Sequence, residues 1–191
     1  VDEERVAFLQ KAQRLGNENA SLMLAQILIQ GEDKIKQDQT RADQILRSTS
    51  QPAEAYLALA VSFLDPNREV KGEGDYFLGV NNGLYCLNKS LALGNKDAAY
   101  YAGEIYIGKY DAGSFEWKEY DKAFTCFKQA VVNETKTPLA YYQLAECYLK
   151  GRGVKQDINK GVEMMEKLLS VADERLDKAA IRETIKNAKK G

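Results

Sequence analysis

The sequence of 191 residues contains no histidine. Histidine is the commonest general base of enzymes and the commonest metal ligand, so its absence excludes histidine-dependent catalytic triads and most zinc sites. The three cysteines, Cys86, Cys126 and Cys147, match no zinc-ligand spacing and are too few for a disulfide-stapled fold. We therefore expect neither a metal nor another cofactor, and a role other than catalysis.

The chain also lacks an excess of basic residues and a long apolar run. Its net charge is −1, whereas a nucleic-acid-binding protein usually carries a basic excess, so we expect no nucleic-acid partner. No apolar run is long enough for membrane insertion of this segment. The chain opens on Val1, so a removed signal is not visible; we expect a periplasmic or secreted protein if one was removed and a cytoplasmic one otherwise.

The sequence contains an internal repeat. Residues 15–20 read LGNENA and residues 93–98 read LGNKDA, which indicates one type of helix end used twice. Four alanines fix the register, and we number positions after each of them as offsets. Small or apolar residues recur at offsets 0, 4, 5 and 8, which lie along one side of a helix that we name helix A. The four anchors are Ala20, Ala55, Ala98 and Ala140.

A second helix, helix B, follows each A helix after a loop. It begins with a small residue, which precedes an apolar pair by three and four positions. The small residues are Ala42, Gly83, Ala123 and Gly161, and the pairs are Ile45-Leu46, Cys86-Leu87, Cys126-Phe127 and Met164-Met165. The same rule places Phe8-Leu9 in a first B helix that no A helix precedes. A tail with one apolar side follows the last pair and is predicted to cap the array.

One stretch carries the repeat in its fullest form. Residues 140–161 read AYYQLAECYLKGRGVKQDINKG, and this stretch resembles a Sel1-like repeat almost position for position. The matching positions are Ala140, Leu144, Ala145, Tyr148, Gly151, Gly153, Val154, Asp157, Lys160 and Gly161. Gly151 and Gly153 supply a positive φ to the turn between helices, and Asp157 can cap helix B.

The resemblance covers about residues 5–170 and implies an all-α fold: a right-handed α-solenoid of antiparallel, tetratricopeptide-like helix pairs. We predict a single array along residues 1–191. Its segments are an N-terminal B helix at 1–19, helix pairs at 20–54, 55–97, 98–139 and 140–172, and a capping helix at 173–191. Proteins of this family act as adaptors, so the resemblance implies a scaffold that binds another protein or a peptide.

In this type of solenoid the A helices line a concave groove. Tyrosine offers area, stiffness and a polar tip to a partner, although packing between helices is its alternative role. We expect the tyrosines at offset 2, Tyr100 and Tyr142, in the core and those at offsets 1 and 3 in the groove. The candidate partner-binding residues are Met23, Gln26, Tyr56, Tyr101, Glu104, Tyr141, Gln143 and Glu146.

The alternative is an enzyme or small-molecule binder, since some relatives have been proposed to act on cell-wall fragments. It would use carboxylates of the groove, Glu104 with Glu146. Two further patterns fail. Residues 103–109 have phosphate-loop spacing, but Tyr110 replaces the magnesium-binding serine or threonine. The acidic loop at 64–82 lacks the glycine and the final glutamate of a calcium loop, so we expect a solvated insertion.

Overall fold

Helices alone form the regular structure of the chain in the residues that the structure, a computed structural model, describes: 3–32, 34–110 and 118–191. The predicted all-α class is confirmed. Within these ranges the helices are α1 (Glu3–Arg14), α2 (Glu18–Gln30), α3 (Gln39–Arg47), α4 (Pro52–Phe63), α5 (Glu73–Ala92), α6 (Asp97–Tyr106), α7 (Tyr120–Ala130), α8 (Pro138–Lys150), α9 (Ile158–Leu168) and α10 (Lys178–Ala188).

The helices form two compact units. The first, Val1–Asn95, contains α1 to α5; in it α1 packs on α2, α2 pairs with α3, and α4 pairs with α5. The second, Lys96–Gly191, contains α6 to α10; in it α6 pairs with α7, α8 pairs with α9, and α10 packs on α9. None of the helices in the described ranges has both the length and the apolar character that a bilayer-spanning segment needs.

The A helices α2, α4, α6 and α8 bury the side that their sequence predicts. Every residue at offsets 0, 4 and 5 is buried: Ala20, Leu24, Ala25, Ala55, Leu59, Ala60, Ala98, Ala102, Gly103, Ala140, Leu144 and Ala145. At offset 8, Leu28 and Phe63 are buried, while Tyr106 and Tyr148 are half-buried. The register of the A helices is therefore confirmed.

Missing Cβ atoms let the paired helices of the second unit come close. A Cβ on Gly103 of α6 would lie 2.5 Å from the ring of Phe127 on α7. A Cβ on Gly161 of α9 would lie 2.5 Å from Cγ of Leu149 on α8. Neither gap holds a methyl group, because carbon atoms in contact are separated by about 3.5–4.0 Å. In each of these two helix pairs, the close approach thus depends on a glycine in one of the two helices.

The apolar pairs of the B helices are buried in α3, α5, α7 and α9, as predicted. The first pair departs from the rule. Leu9 is 5% exposed against α2, but Phe8 is 71% exposed, so the prediction that both residues lie in the core is wrong. The reason is that α2 covers one side of α1, and no described helix covers the side that carries Phe8.

Helix α5 begins much earlier than the sequence indicates. The small residue Gly83 was expected to open this B helix, yet α5 starts at Glu73. Arg68 stabilises these early turns, because its guanidinium lies against Gly79 and pairs with Asp75, one of its nitrogens lying 3.3 Å from the carboxylate oxygen. Most of the inserted sequence is therefore helix, and only residues 64–72 form the connection.

The turn between α8 and α9 has the predicted geometry. Gly151 ends α8 with φ of 64° and Gly153 follows with φ of 69°, values that favour glycine. A Cβ on Gly153 would also lie 2.1 Å from the carbonyl oxygen of Tyr120, so the turn rests directly on the start of α7. Asp157 caps α9 by accepting a hydrogen bond from the Lys160 amide at 2.9 Å.

The C-terminal helix is shorter than predicted. Its range was given as 173–191, but α10 starts at Lys178, capped by the side chain of Asp177. The residues before it are not helical; there, Asp173 accepts two hydrogen bonds from the guanidinium of Arg175, at 2.9 and 2.6 Å. Ile181 and Ile185 anchor α10, since both are buried.

Truncation of Phe127 to alanine tests the packing of α6 on α7. Phe127 is fully buried against Gly103, so the variant loses its transfer free energy and leaves a cavity. We expect Phe127→Ala to lower the free energy of unfolding by about 3–5 kcal/mol. Urea denaturation measures it, and Gln129→Ala, an exposed position on α7, is the control with an expected change below about 0.5 kcal/mol. A Phe127→Ala loss below about 1 kcal/mol contradicts this packing.

The three cysteines are free and buried, and their thiols should react slowly. Burial raises the pKa of Cys86 to about 12 and that of Cys147 to about 11, and it also raises the pKa of Cys126. Because the thiolate is the reactive form, we expect a thiol reagent at pH 8 to modify the native protein far more slowly than the urea-unfolded protein. Rapid reaction of all three in the native state would show that these positions are exposed.

Candidate functional site

The A helices of the first unit expose two apolar side chains. Met23 at offset 3 of α2 is 42% exposed, and Val61 at offset 6 of α4 is 43% exposed. Gln26, at offset 6 of α2, donates a hydrogen bond from its side chain to the Ser62 hydroxyl at 3.4 Å and so links α2 to α4. Met23 and Gln26 were candidates from the sequence. Val61 was missed, although it holds the same offset as Gln26.

Tyr56 and Tyr141 do not face outward. The sequence analysis placed offset 1 in the groove, yet Tyr56 is fully buried and Tyr141 is 9% exposed, so that expectation is wrong. Offset 1 precedes offset 5 by four residues, and residues four apart share one face of a helix. Both tyrosines therefore turn toward the packed side, and neither ring offers a partner much area.

The hydroxyl of Tyr56 donates a hydrogen bond to a carboxylate that links three helices. Asp43 of α3 accepts hydrogen bonds from Tyr56 of α4 at 2.5 Å and from Tyr85 of α5 at 2.9 Å. Lys89, one turn further along α5, donates to Asp43 at 3.0 Å. We name these four residues the Asp43 cluster. It explains why a large polar side chain is tolerated at offset 1 of α4, since a buried hydroxyl needs a partner.

The hydrogen bonds of the cluster keep Asp43 ionised and the two tyrosines protonated. Burial favours the protonated form of Asp43, but hydrogen bonds from Tyr56, Lys89 and Tyr85 outweigh it and hold the pKa of this carboxyl below its usual value of 3.8. Burial, followed by the hydrogen bond to Asp43, raises the pKa of both tyrosines. A tyrosine with a raised pKa is a poor proton donor, so the arrangement stabilises the packing rather than supplying a catalytic acid.

In the second unit, Glu104 lies in a network of its own. It is 4% exposed and accepts hydrogen bonds from the Tyr100 hydroxyl at 2.7 Å and from Lys109 at 2.6 Å. The Lys109 side chain is 52% exposed and covers the carboxylate from the solvent side. Tyr100 was expected in the core and is half-buried, with a pKa raised by burial and then by the hydrogen bond to Glu104.

Glu146 of α8 repeats this arrangement at the same offset. It is 7% exposed and pairs with Lys150 one turn later, whose side chain is 49% exposed. Each carboxylate thus has its own lysine. An acid that exchanges protons with a substrate must be reachable by it, whereas lysines cover both of these carboxylates. Lys109 and Lys150 were not singled out from the sequence, although spacings of five and four residues from the glutamates were a usable signal.

In the second unit, α6 and α8 also carry partly exposed residues beside these glutamate–lysine pairs. Tyr101 at offset 3 of α6 is half-buried and makes an edge contact with Tyr100, with ring centroids 5.4 Å apart. Gln143 holds offset 3 of α8 and is half-buried as well. Arg175, which the sequence analysis did not list, lies close enough to Tyr100 and Tyr101 to interact with their hydroxyls electrostatically.

The other two sequence patterns have structural explanations. Residues 103–106 end α6, and Gly108 with φ of 92° closes the turn, so the phosphate-loop spacing belongs to a helix end. In the acidic segment, Asp65 accepts a hydrogen bond from the Asn67 amide, and Asp75, in the first turn of α5, pairs with Arg68. No group of three or more acidic or cysteine side chains that could hold a metal ion occurs among the described residues.

Comparison with known proteins identifies the repeat. The Sel1 repeat model matches residues 19–42 and 138–169. The structure of a protective antigen of uropathogenic Escherichia coli strains, which displays an SLR fold, superposes with a TM-score of 0.55 at 18% identity over 97% of this chain and 36% of that chain. A Sel1 repeat protein from Oxalobacter formigenes gives a TM-score of 0.47 at 17% identity, over 96% of this chain and 75% of that chain. No curated protein matches the chain.

The likeness to the E. coli antigen, with its SLR fold, confirms the predicted solenoid class. The chain spans about a third of the length of the E. coli antigen, and at this identity the likeness is one of fold. Sel1 repeat proteins generally mediate protein–protein interactions and are generally scaffolds rather than enzymes.

Replacement of Asp43 by asparagine tests the cluster that buries Tyr56. The pKa of Asp43 is lowered by folding, so its contribution to stability is present above about pH 4 and is lost as the pH falls through the folded-state pKa. We expect Asp43→Asn to lower the free energy of unfolding by about 1–3 kcal/mol at pH 7. The difference from the wild type should shrink below pH 4.

Urea titrations at pH 7, 5 and 3.5 measure this dependence, and Glu54→Gln, an exposed position on α4, is the control. A loss for Asp43→Asn that stayed constant over this range would show that the charge of Asp43 contributes nothing.

Proposed function

We propose that the chain, which matches the Sel1 repeat model over residues 19–42 and 138–169, is a scaffold that binds another protein or a peptide through the exposed faces of its A helices. The observation that carries the proposal is the pattern of exposure along α6 and α8. Above a fully buried row, these helices present Tyr101 and Gln143 beside two glutamate–lysine pairs. A rigid aromatic side chain next to adaptable polar groups is typical of protein-binding surfaces.

The two units offer different chemistry to a partner. On the first unit the A helices expose two apolar side chains, Met23 and Val61, and methionine adapts its shape to varied apolar side chains. On the second unit, Tyr101 and the paired charges of Glu104 and Lys109 favour polar and aromatic contacts. We therefore propose that apolar side chains of the partner bind the first face and hydrogen-bonding groups bind the second. The proposed contact residues are Met23, Gln26, Val61, Tyr101 and Gln143, with Lys109 and Lys150, which cover the buried carboxylates of Glu104 and Glu146.

Site-specific photocrosslinking tests the use of these faces. A photoreactive phenylalanine analogue replaces Met23 or Tyr101 in separate proteins, and Gln129 on the B helix α7 is the control position. We expect the same partner band to appear from lysate of the source organism at both face positions and to be absent at Gln129. Crosslinks of equal strength at Gln129 contradict the proposal.

Alanine variants then measure the strength of the contact with the captured partner. We expect Tyr101→Ala with Gln143→Ala to weaken binding about tenfold or more, since aromatic contact residues commonly contribute over 1 kcal/mol. Gln129→Ala should leave the affinity unchanged. Circular dichroism verifies that each variant keeps its helices.

A further inference from the structure

The connection between α9 and α10 holds an arginine in a fixed position. Val171 and Leu176 are buried and fasten the two ends of the connection. Between them, Asp173 accepts three hydrogen bonds from Arg175: from its backbone amide at 2.9 Å, from Nε at 2.9 Å and from Nη2 at 2.6 Å. These bonds lower the pKa of Asp173 to about 2, so its carboxylate stays charged at neutral pH. Three bonds to one carboxylate leave the guanidinium little freedom to turn.

The bonds to Asp173 use only one edge of the guanidinium. An arginine side chain carries five N–H donors, and Nε with Nη2 forms one of the two edges that fit a carboxylate. The other edge is formed by Nη1 with the second hydrogen of Nη2, and no residue in the described part of the chain accepts a hydrogen bond from Nη1. The Arg175 side chain is 61% exposed. A second carboxylate can therefore accept two parallel hydrogen bonds from Arg175 while Asp173 stays in place.

Arg175 lies beside the tyrosines of α6, where it interacts electrostatically with the hydroxyls of Tyr100 and Tyr101. The two hydroxyls differ in their hydrogen bonds. Tyr100 donates to Glu104 at 2.7 Å, whereas none of the described residues is hydrogen-bonded to the Tyr101 hydroxyl. The edge contact with the Tyr100 ring limits the motion of the Tyr101 ring. A restrained O–H donor thus accompanies the open edge of Arg175 on the exposed face of the second unit.

We propose that Arg175 binds the side-chain carboxylate of an aspartate or glutamate of the partner, and that Tyr101 donates a hydrogen bond to the same carboxylate. This contact rests on the proposed function and defines the chemistry by which the second unit selects its partner. Lys109 and Lys150 already pair with buried glutamates, whereas Arg175 retains a complete carboxylate-binding edge. The charges agree, because basic residues outnumber acidic ones in the second unit, while the reverse holds in the first.

A carboxylate suits this edge better than the other acceptors that a protein offers. A backbone carbonyl has one oxygen, so it cannot accept the two parallel bonds on separate atoms. A phosphorylated side chain has enough oxygens, but it would bring nearly two negative charges close to Asp173. A carboxylate adds a single negative charge, and the guanidinium spreads its positive charge over three nitrogens that can serve both carboxylates.

Peptide selection on the full chain tests which residue type is bound. We expect random peptides enriched from a phage-displayed library to share an aspartate or glutamate, and we expect this preference to disappear when the selection is repeated on Arg175→Ala. Arg182→Ala, which removes an exposed arginine of α10, is the matched control and should keep the preference. The peptides are displayed with their C-termini fused to the coat protein, so that only a side chain can supply the carboxylate.

Fluorescence anisotropy with one enriched peptide, amidated at its C-terminus, then measures the contact itself. Replacing its acidic residue by the corresponding amide should weaken binding to the wild type about tenfold or more, because hydrogen bonds to charged groups are strong. The same replacement should change binding to Arg175→Ala little. Arg175→Lys keeps the charge but loses the two parallel donors, so it should not restore the affinity. Tyr101→Phe removes only the hydroxyl and should also weaken binding of the acidic peptide.

Three results would overturn the proposal. The first is a set of enriched peptides without acidic residues, and the second is an acidic preference that persists in Arg175→Ala. Either result would leave the proposed peptide binding intact and remove the role of Arg175. The third is a wild type that enriches no peptide, which would show that the acidic contact is absent; the photocrosslinks at Met23 and Tyr101 then decide separately whether the proposed function survives.

Discussion

The closest approach between paired helices determines how the rest of this molecule is arranged. In the second unit, Phe127 occupies the space above Gly103, and Leu149 occupies the space above Gly161. A single methyl group on either glycine would force the helices apart, and interiors packed at crystal-like density have no slack to absorb it. Each of these contacts fixes both the spacing of a helix pair and the rotation of one helix against the other.

This rotation decides which side chains of the A helices remain accessible. Offset 5 points at the paired B helix, and offset 1 lies on the same face, so Tyr56 and Tyr141 are buried. Offset 3 is about 200° away from offset 5 and therefore faces outward. Offset 6 lies between these directions, which is why Glu104 and Glu146 are buried yet reach lysines at the surface. The candidate surface is thus a consequence of helix packing.

Sequence periodicity predicted the helix pairs, the register of their buried rows and the cap at Asp157, because these features are local and recur. The predictions from periodicity failed where one repeat makes a contact that the other repeats lack. Arg68 packs against Gly79 in the early turns of α5, and the hydroxyl of the buried Tyr56 has a hydrogen-bond partner in Asp43 on another helix. Phe8 obeys the repeat pattern in its sequence and is exposed for want of a neighbouring helix. A pattern within one helix contains no information about such neighbours.

The added helical turns of α5 lie outside the contact that aligns α4 with α5. That contact is made where Leu64 meets Gly83, and the residues from Glu73 to Asn82 precede it. Within this stretch the residues up to Leu78 are exposed or half-buried, whereas Gly79, Val80 and Asn82 are buried. Changes of length or composition before Gly79 therefore leave the contact between Leu64 and Gly83 in place. The α4–α5 pair thus combines a tightly packed contact at Gly83 with an exposed start of α5 that can accept a different sequence at small cost in stability.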